Sequence, residues 1–362
     1  MHARPFDMRT GSGERPPVSF YLPCTPAEFI RLPTAIEHYW AWQTSEAGLV
    51  PHWGRYHWVL QSFLQLRAAG YPARLVREMP DAGIVVSHVD CFDYGLRPHR
   101  DLYLVVLLVD REVPHPHAQW HITHNPVQTL PMWLPFSYMA PWPQVGLVPR
   151  RAERGSRFER LAFVGYRQNL MPQLATPQFS AQLRELGLEL VIPEPAGWAD
   201  FSDFDAVLAV RSFGRDEIHL NKPALKLYNA WLAGVPAVLG HEIAYVVEGG
   251  PGRAYLEATN EAEVLAALRR LAGDASLRQA LMAEGRQRVA HFSEERLREA
   301  WVALFERVLL PDANRWMGSA PRRVLHRGAG AIRERLLWRR PGWFGQLPTP
   351  SAALEIPFKE AL

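Results

Sequence analysis

The chain has 362 residues, 48% apolar and 21% charged, with a formal charge of +3. That length fits two domains of ordinary size, each able to bury its own core. It holds no apolar run long enough to span a bilayer, and residues 1–17 are polar with Gly and Pro, so a cytoplasmic protein without a signal peptide is expected. Two cysteines, Cys24 and Cys91, exclude a disulfide framework, and no Cys/His spacing matches a structural zinc site. The charge is uneven: residues 315–340 hold eight Arg and one Glu, net +7, which leaves the rest at −4 (+3 minus +7). A nucleic-acid-binding protein spreads basic charge over its folded body, so that class is excluded.

Residues 18–22 read as a first strand. The stretch 25–51, rich in Pro, Trp and His, reads as a long loop with a short helix at 36–42. His52-Trp53-Gly54-Arg55-Tyr56 then opens a helix in which Tyr56, Leu60, Phe63 and Leu64 form a core-facing stripe, ended by Gly70. Strands follow at 73–77, 83–87 and 102–109, the last almost wholly apolar, as a parallel strand covered on both faces requires. His88 and Asp110 stand directly after the last two, where parallel sheets concentrate function, and each is a candidate base or charge stabiliser. Another strand is expected at 118–124. His115, His117, His121 and His124 lie close in sequence, but Pro114 and Pro116 oppose the helix that would align His117 with His121, so ordinary polar or core roles come ahead of a metal site. The chain carries 13 Trp. Aromatic platforms suit sugar rings, although core packing is the commoner use of Trp.

Residues 126–149 are rich in Pro and aromatics, and the charged run 150–155 marks a boundary. Strands at 161–164, 188–192 and 206–210, with a helix at 177–186, begin a second parallel sheet. Gly165 and Arg211 end two of these strands on one edge, with Arg167 close behind Gly165. Arg211 fits either a bidentate phosphate contact or a surface ion pair.

Asn221 to Glu242 form one helix feeding a short strand at 237–239. Pro223 suits the first turn, and Gly234 with Pro236 closes the helix. Lys222 and Lys226 share a face, Asn229 follows within a turn, and Gly240-His241-Glu242 ends the strand. Two cations, an amide and a Gly-containing turn can converge on a diphosphate and the sugar beside it, and a solvated basic helix face would use the same lysines. Asn260 with Glu263, Asp274, and Ser293 then read as caps of three helices, the last carrying Leu297, Trp301, Leu304, Phe305 and Val308 on one face. Beyond 310 the arginines alternate with Val324, Leu325, Ile332, Leu336, Leu337, Trp338, Trp343 and Phe344. This basic amphipathic pattern suits an anionic membrane surface, a solvated tail, or packing on the first domain, and Gly328 and Gly330 weaken it as a helix.

The 221–242 string, with Lys226-x-x-Asn229 and then Gly234-Val235-Pro236, resembles the nucleotide-sugar site of GT-B glycosyltransferases of the group 1, family 4-like kind. The resemblance spans about residues 18–309 and is strongest over 205–308. It implies an α/β fold of two Rossmann-like domains facing a cleft: an acceptor domain at 16–150, a nucleotide-sugar domain at 156–309 and a basic amphipathic tail at 310–362. It further implies that Lys226 contacts the donor phosphates, that Asn229 stands where many relatives place a ribose-binding Glu, and that Gly240 to Glu242 lie by the diphosphate. Gly165, Arg167, Arg211 and Lys222 then complete the donor side, and Gly54, at a helix N-terminus, faces the acceptor. Retaining members often carry two Glu seven residues apart, and the corresponding places read Asn221 and Asn229, so neither stereochemistry nor donor carries over.

The expected function is transfer of a sugar from a nucleotide-diphosphate sugar to an acceptor hydroxyl in glycan or glycolipid assembly. It needs no cofactor and no metal, and it takes a glycan, lipid-linked or small-molecule acceptor, with peripheral contact at the inner face of a membrane through 315–344. An inactive nucleotide-binding scaffold and a sugar-nucleotide epimerase are the alternatives, and no acidic pair marks the latter.

Overall fold

The computed structural model describes residues 15–45, 54, 56–130 and 133–339. His52, Trp53, Arg55, Trp343, Phe344 and the side chain of Trp338 lie outside the described residues. Among the described residues the chain forms two wholly parallel sheets. The first contains β1 (Val18–Tyr21), β2 (Ala73–Val76), β3 (Gly83–His88), β4 (Leu102–Leu108), β5 (Trp120–Thr123) and β6 (Phe136–Tyr138), in the order β2-β1-β3-β4-β5-β6. The second contains β7 (Arg160–Ala162), β8 (Glu189–Val191), β9 (Ala206–Ala209), β10 (Ala237–Leu239) and β11 (Leu256–Glu257), in the order β11-β10-β9-β7-β8.

Both orders are the doubly wound 2-1-3-4-5 pattern, with the chain reversing direction across the sheet beside β1 and β7. A parallel sheet opens a crevice for ligands at such a switch point, outside the carboxyl ends of its strands. The apolar sequences explain the arrangement: every residue of β3, β4, β9 and β10 is buried, as strands covered on both faces must be.

Helices α1 (Pro26–Ile30) and α2 (Tyr39–Thr44) occupy the stretch expected to be mostly loop. Thr25 caps α1 with a full capping box to Glu28. A five-residue π turn at Tyr56–Leu60 leads into α3 (Gln61–Ala68), and Tyr56, Leu60, Phe63 and Leu64 are all buried as the periodicity predicts. In the second unit α4 (Pro177–Glu185), α5 (Leu225–Ala233), α6 (Ile243–Gly249), α7 (Glu261–Gly273) and α8 (Ala275–Val289) surround the sheet, and α9 (Glu294–Leu304) lies against α3 of the first unit, where Arg298 donates to Gln65 at 2.7 Å. Asn260, Asp274 and Ser293 accept the expected capping bonds from Glu263, Leu277 and Arg296. The Glu263 carboxylate bonds the Thr259 amide and hydroxyl, one residue before the cap. Gly234 closes α5 in the left-handed region, φ 69°, as a C-terminal glycine should.

The end of the chain takes one of the courses left open by its sequence, packing on the first domain. After α9 and a π turn come α10 (Leu310–Gly318) and α11 (Ala320–Arg339), and the packing has by then returned to the first sheet. Trp301 stacks on Trp142 at 6.1 Å, and Phe305 packs against Phe20 and Tyr71. The buried Asp312 accepts from Tyr103 on β4 at 2.7 Å, and Trp316 donates to the His99 carbonyl. Residues 301–339 therefore join the first unit by packing, which places the change of partner before residue 309.

Helix α11 runs through Gly328 and Gly330. At Gly330 a Cβ would lie 2.3 Å from His117 Nδ1, so the glycine that weakens the helix permits its close approach to the first unit. His326 bonds the His117 carbonyl, Arg333 donates to the Pro116 carbonyl, and Glu334 pairs with His117 and Arg97. Outward remain Val324, Leu325 and Ile332, 60–75% exposed, with Arg327 and Arg335. No helix among the described residues is long and apolar enough to cross a membrane.

Candidate functional site

The carboxyl edges of the two sheets meet at a cavity of about 680 Å³. From the first unit it is lined by Gly54, Trp58, His88, Asp90, Asp110, Arg111 and Gln144. The second unit contributes Gly165, Tyr166, Asn169, Trp198, Arg211, Lys222, Lys226 and Asn229, among others. A smaller open groove between α3 and α9, lined by Ala68, Arg298, Val302 and Glu306, has no comparable convergence of cations from two sheets.

The donor-side residues are positioned by strand ends and by α5. Arg211 follows β9 and is held by Glu242, 3.4 Å away. Glu242 is buried and its second oxygen has no partner, so it sets the guanidinium from behind. Lys226 sits in the first turn of α5, its ammonium 5.8 Å above the Phe163 ring. A side chain at Gly165 would begin 3.5 Å from Lys226 Nζ, and Gly165 has φ 149°, a conformation that L residues rarely adopt. Burial pushes the Lys226 pKa down to about 8, and Arg211 adds to the effect against the opposing pull of Glu242 and Asp110. Asn229, one turn on, is buried with its side-chain oxygen unpartnered at the cavity wall. The N-terminus of α5 has no side-chain cap, so its dipole and first-turn amides lie at the same wall.

Not every predicted residue reaches the cavity. Arg167 is exposed on a 3-10 turn and does not line it; the neighbouring Tyr166 does. Gly240 is buried beneath, against Val210, and His241 turns aside to Glu257 at 2.9 Å.

On the opposite wall the two candidate bases differ. His88 is buried, its Nε2 donates to the Val109 carbonyl at 3.0 Å and its Nδ1 accepts from the Asp90 amide. Burial lowers its pKa. Both ring nitrogens are thus committed to backbone, which makes His88 a brace for the loop after β3. Asp110 follows β4 with φ 56° and is 37% exposed at its side chain. Its carboxylate accepts from Lys222 Nζ at 3.0 Å across the cleft. Partial burial works against ionisation, but Lys222, with smaller help from His88 and Lys226, holds the carboxyl below its ordinary range. Beside it, Arg111 makes a two-pronged pair with Asp90 at 2.9 and 2.6 Å.

The histidines of the first unit do not gather. His115 bonds the Asp93 carbonyl, His117 faces Glu334, and His124 bonds the Met139 carbonyl while stacking on Trp58 at 5.0 Å. His121 is fully buried, and burial lowers its pKa to about 3. Among the described residues no group of three or more His, Cys, Asp or Glu stands ready for a metal ion.

The sequence reading missed Tyr166 and Trp198, which meet edge to face at 4.9 Å beside Lys226, with the Trp198 indole N–H fixed by the Pro193 carbonyl. An aromatic residue following the strand-ending glycine was the only available signal.

No family model matches the chain, and no curated protein matches it. Among solved structures it is similar to TarM, with 10% identity over 63% of this chain and 56% of TarM, at a TM-score of 0.45. It is similar to a sucrose-phosphate synthase from Thermosynechococcus elongatus, with 14% identity over 74% of this chain and 82% of the synthase, at 0.45. The pneumococcal O-GlcNAc transferase GtfA, solved with UDP and GlcNAc, is 12% identical over 70% of this chain and 60% of GtfA, at 0.44. The chain thus spans little more than half the length of TarM and GtfA. Two doubly wound parallel sheets that turn their carboxyl edges onto one cleft give this chain the GT-B architecture.

Proposed function

We propose that the protein transfers a sugar from a nucleotide-diphosphate sugar to an acceptor hydroxyl across this cleft. The observation that carries the reading is the convergence of Arg211, Lys222, Lys226 and the α5 N-terminus on one wall, with Asp110 on the other. In the proposed reaction the bond from the anomeric carbon to the diphosphate oxygen breaks, and a bond to the acceptor oxygen forms. The acceptor proton passes to Asp110. The leaving diphosphate is neutralised by Arg211, Lys222 and Lys226, without a metal ion or cofactor. Asn229 supplies an acceptor atom for a hydroxyl of ribose or sugar, and Tyr166 with Trp198 supplies aromatic surface for the nucleobase.

The outward face of α11 supports peripheral contact with an anionic membrane surface, which would bring a lipid-linked acceptor to the cleft in glycan or glycolipid assembly. Co-sedimentation with phosphatidylglycerol vesicles but not with phosphatidylcholine alone is the expected result.

The main test is a thermal-shift screen against UDP, GDP, ADP, CMP and dTDP, followed by donor hydrolysis and transfer assays with the nucleotide that shifts. A selective shift lost in Lys226→Ala, together with turnover of the matching nucleotide sugar, is expected. A shift without turnover points to a binding scaffold, and the absence of any shift refutes the donor site.

A further inference from the structure

The loop before α5 is fastened to the first unit at four places. Asp110 donates its amide to the Asn221 carbonyl at 3.0 Å, and its carboxylate takes the Lys222 ammonium at 3.0 Å. Asn125 donates its side-chain amide to the Lys222 carbonyl at 3.0 Å and to that of His219 at 3.4 Å. Three of these bonds are to backbone and hold the loop whatever the charge of Asp110. The fourth is an ion pair between the proposed acceptor-side carboxylate and a proposed diphosphate-binding cation.

A carboxylate and a diphosphate on one ammonium repel each other, so both cannot hold Lys222 at full strength. We infer that Asp110 is a built-in competitor of the donor diphosphate: it holds Lys222 until the diphosphate arrives, and the exchange of Lys222 onto phosphate releases the Asp110 carboxylate toward the acceptor. The inference rests on the donor-site reading above. The exchange also changes the carboxylate's chemistry. With Lys222 withdrawn and a negative diphosphate nearby, Asp110 becomes a stronger proton acceptor at the moment a donor is in place. Donor binding would therefore precede productive acceptor binding, and Asp110 would limit donor affinity while serving the transfer step.

The test is calorimetric titration of inorganic pyrophosphate, UDP and GDP into the full chain. Asn suits the left-handed backbone of Asp110 and keeps the amide that bonds Asn221. Asp110→Asn should therefore fold and should bind pyrophosphate and the recognised nucleotide about three- to tenfold more tightly than wild type, although transfer is lost. Asp110→Ser, which removes the charge with a different shape, should show the same gain, and Lys222→Ala should abolish the gain in either background. Equal or weaker binding by both Asp110 variants, with measurable wild-type binding, overturns this inference and leaves the donor site standing. Failure of the wild type to bind any of the three probes overturns both.

Discussion

Lys226 gives the sharpest link between stability and function. Its ammonium is held in a largely buried position, and the fall of its pKa from 10.5 to about 8 means that the fold disfavours the charged form. At about 1.4 kcal/mol per pKa unit, that is roughly 3 kcal/mol of folding free energy given up below pH 8. The sign follows from proton counts. Between about pH 8 and 10.5 the unfolded chain binds more protons at this site than the folded one, so the stability of wild type should rise with pH across that window. Lys226→Met keeps an unbranched chain over Phe163 and removes the penalty. It should stabilise the protein at pH 7 by about 2–3 kcal/mol, on the order of 5 °C in Tm, and flatten the rise above pH 8. The same variant should lose the nucleotide-induced shift, and wild-type nucleotide binding should weaken as pH rises through about 8. Differential scanning calorimetry of both proteins from pH 6 to 10, with and without nucleotide, measures all of this. A Met variant less stable than wild type, or one that keeps the shift, would refute the assignment of Lys226 as a strained phosphate ligand.

Four other substitutions test parts of the frame. Asp205, fully buried, joins Arg150 and Arg154 and accepts the Glu159 and Arg160 amides; these bonds outweigh its burial and hold its pKa at about 2. Its stabilisation is complete above the ordinary carboxylate range and is lost as pH falls toward 2, so Asp205→Asn should cost about 3–5 kcal/mol in urea unfolding at pH 7 and much less near pH 2. Gly330→Ala should lift α11 off His117 at a cost of about 1–3 kcal/mol and expose it to limited proteolysis. Gly328→Ala, with nothing within 4 Å of the added Cβ, should be neutral or stabilising in the same assay. Trp198→Ala should weaken nucleoside diphosphate binding about tenfold and leave pyrophosphate binding unchanged in parallel titrations; an equal loss for both ligands would place the base elsewhere.

β7 to β10 of the second sheet and the first five strands could be read in the sequence because most are short, largely apolar runs followed by a glycine, a charged residue or a turn, whereas β11, two residues long, could not. β4 is the clearest case, seven consecutive buried residues. β6 could not be read: it has three half-buried residues, lies among prolines, and pairs with β5 alone. Its Tyr138 nevertheless reaches across to Glu248 on α6 at 2.6 Å, a contact 110 residues apart that no local pattern encodes. The same limit explains the site. Lys226 and Asn229 share α5, so their convergence follows from helical spacing, whereas Lys222, expected on the same helix, stands in the loop before it because α5 begins only at Leu225. The partnership of Lys222 with Asp110 depends on how two sheets dock. His88 and Asp110 both follow strands of the first sheet, and only the folded chain separates them, by giving both imidazole nitrogens of one to backbone and leaving the carboxylate of the other in the cleft. The terminal helix makes the point most plainly. Its amphipathic arginine pattern predicts two faces but not which partner takes which. The answer lies in Gly330, whose missing side chain lets His117 approach, and in Arg333 and Glu334, which bind back to the first unit. A chain that ends by returning to its first sheet ties the two units together a second time, away from the cleft.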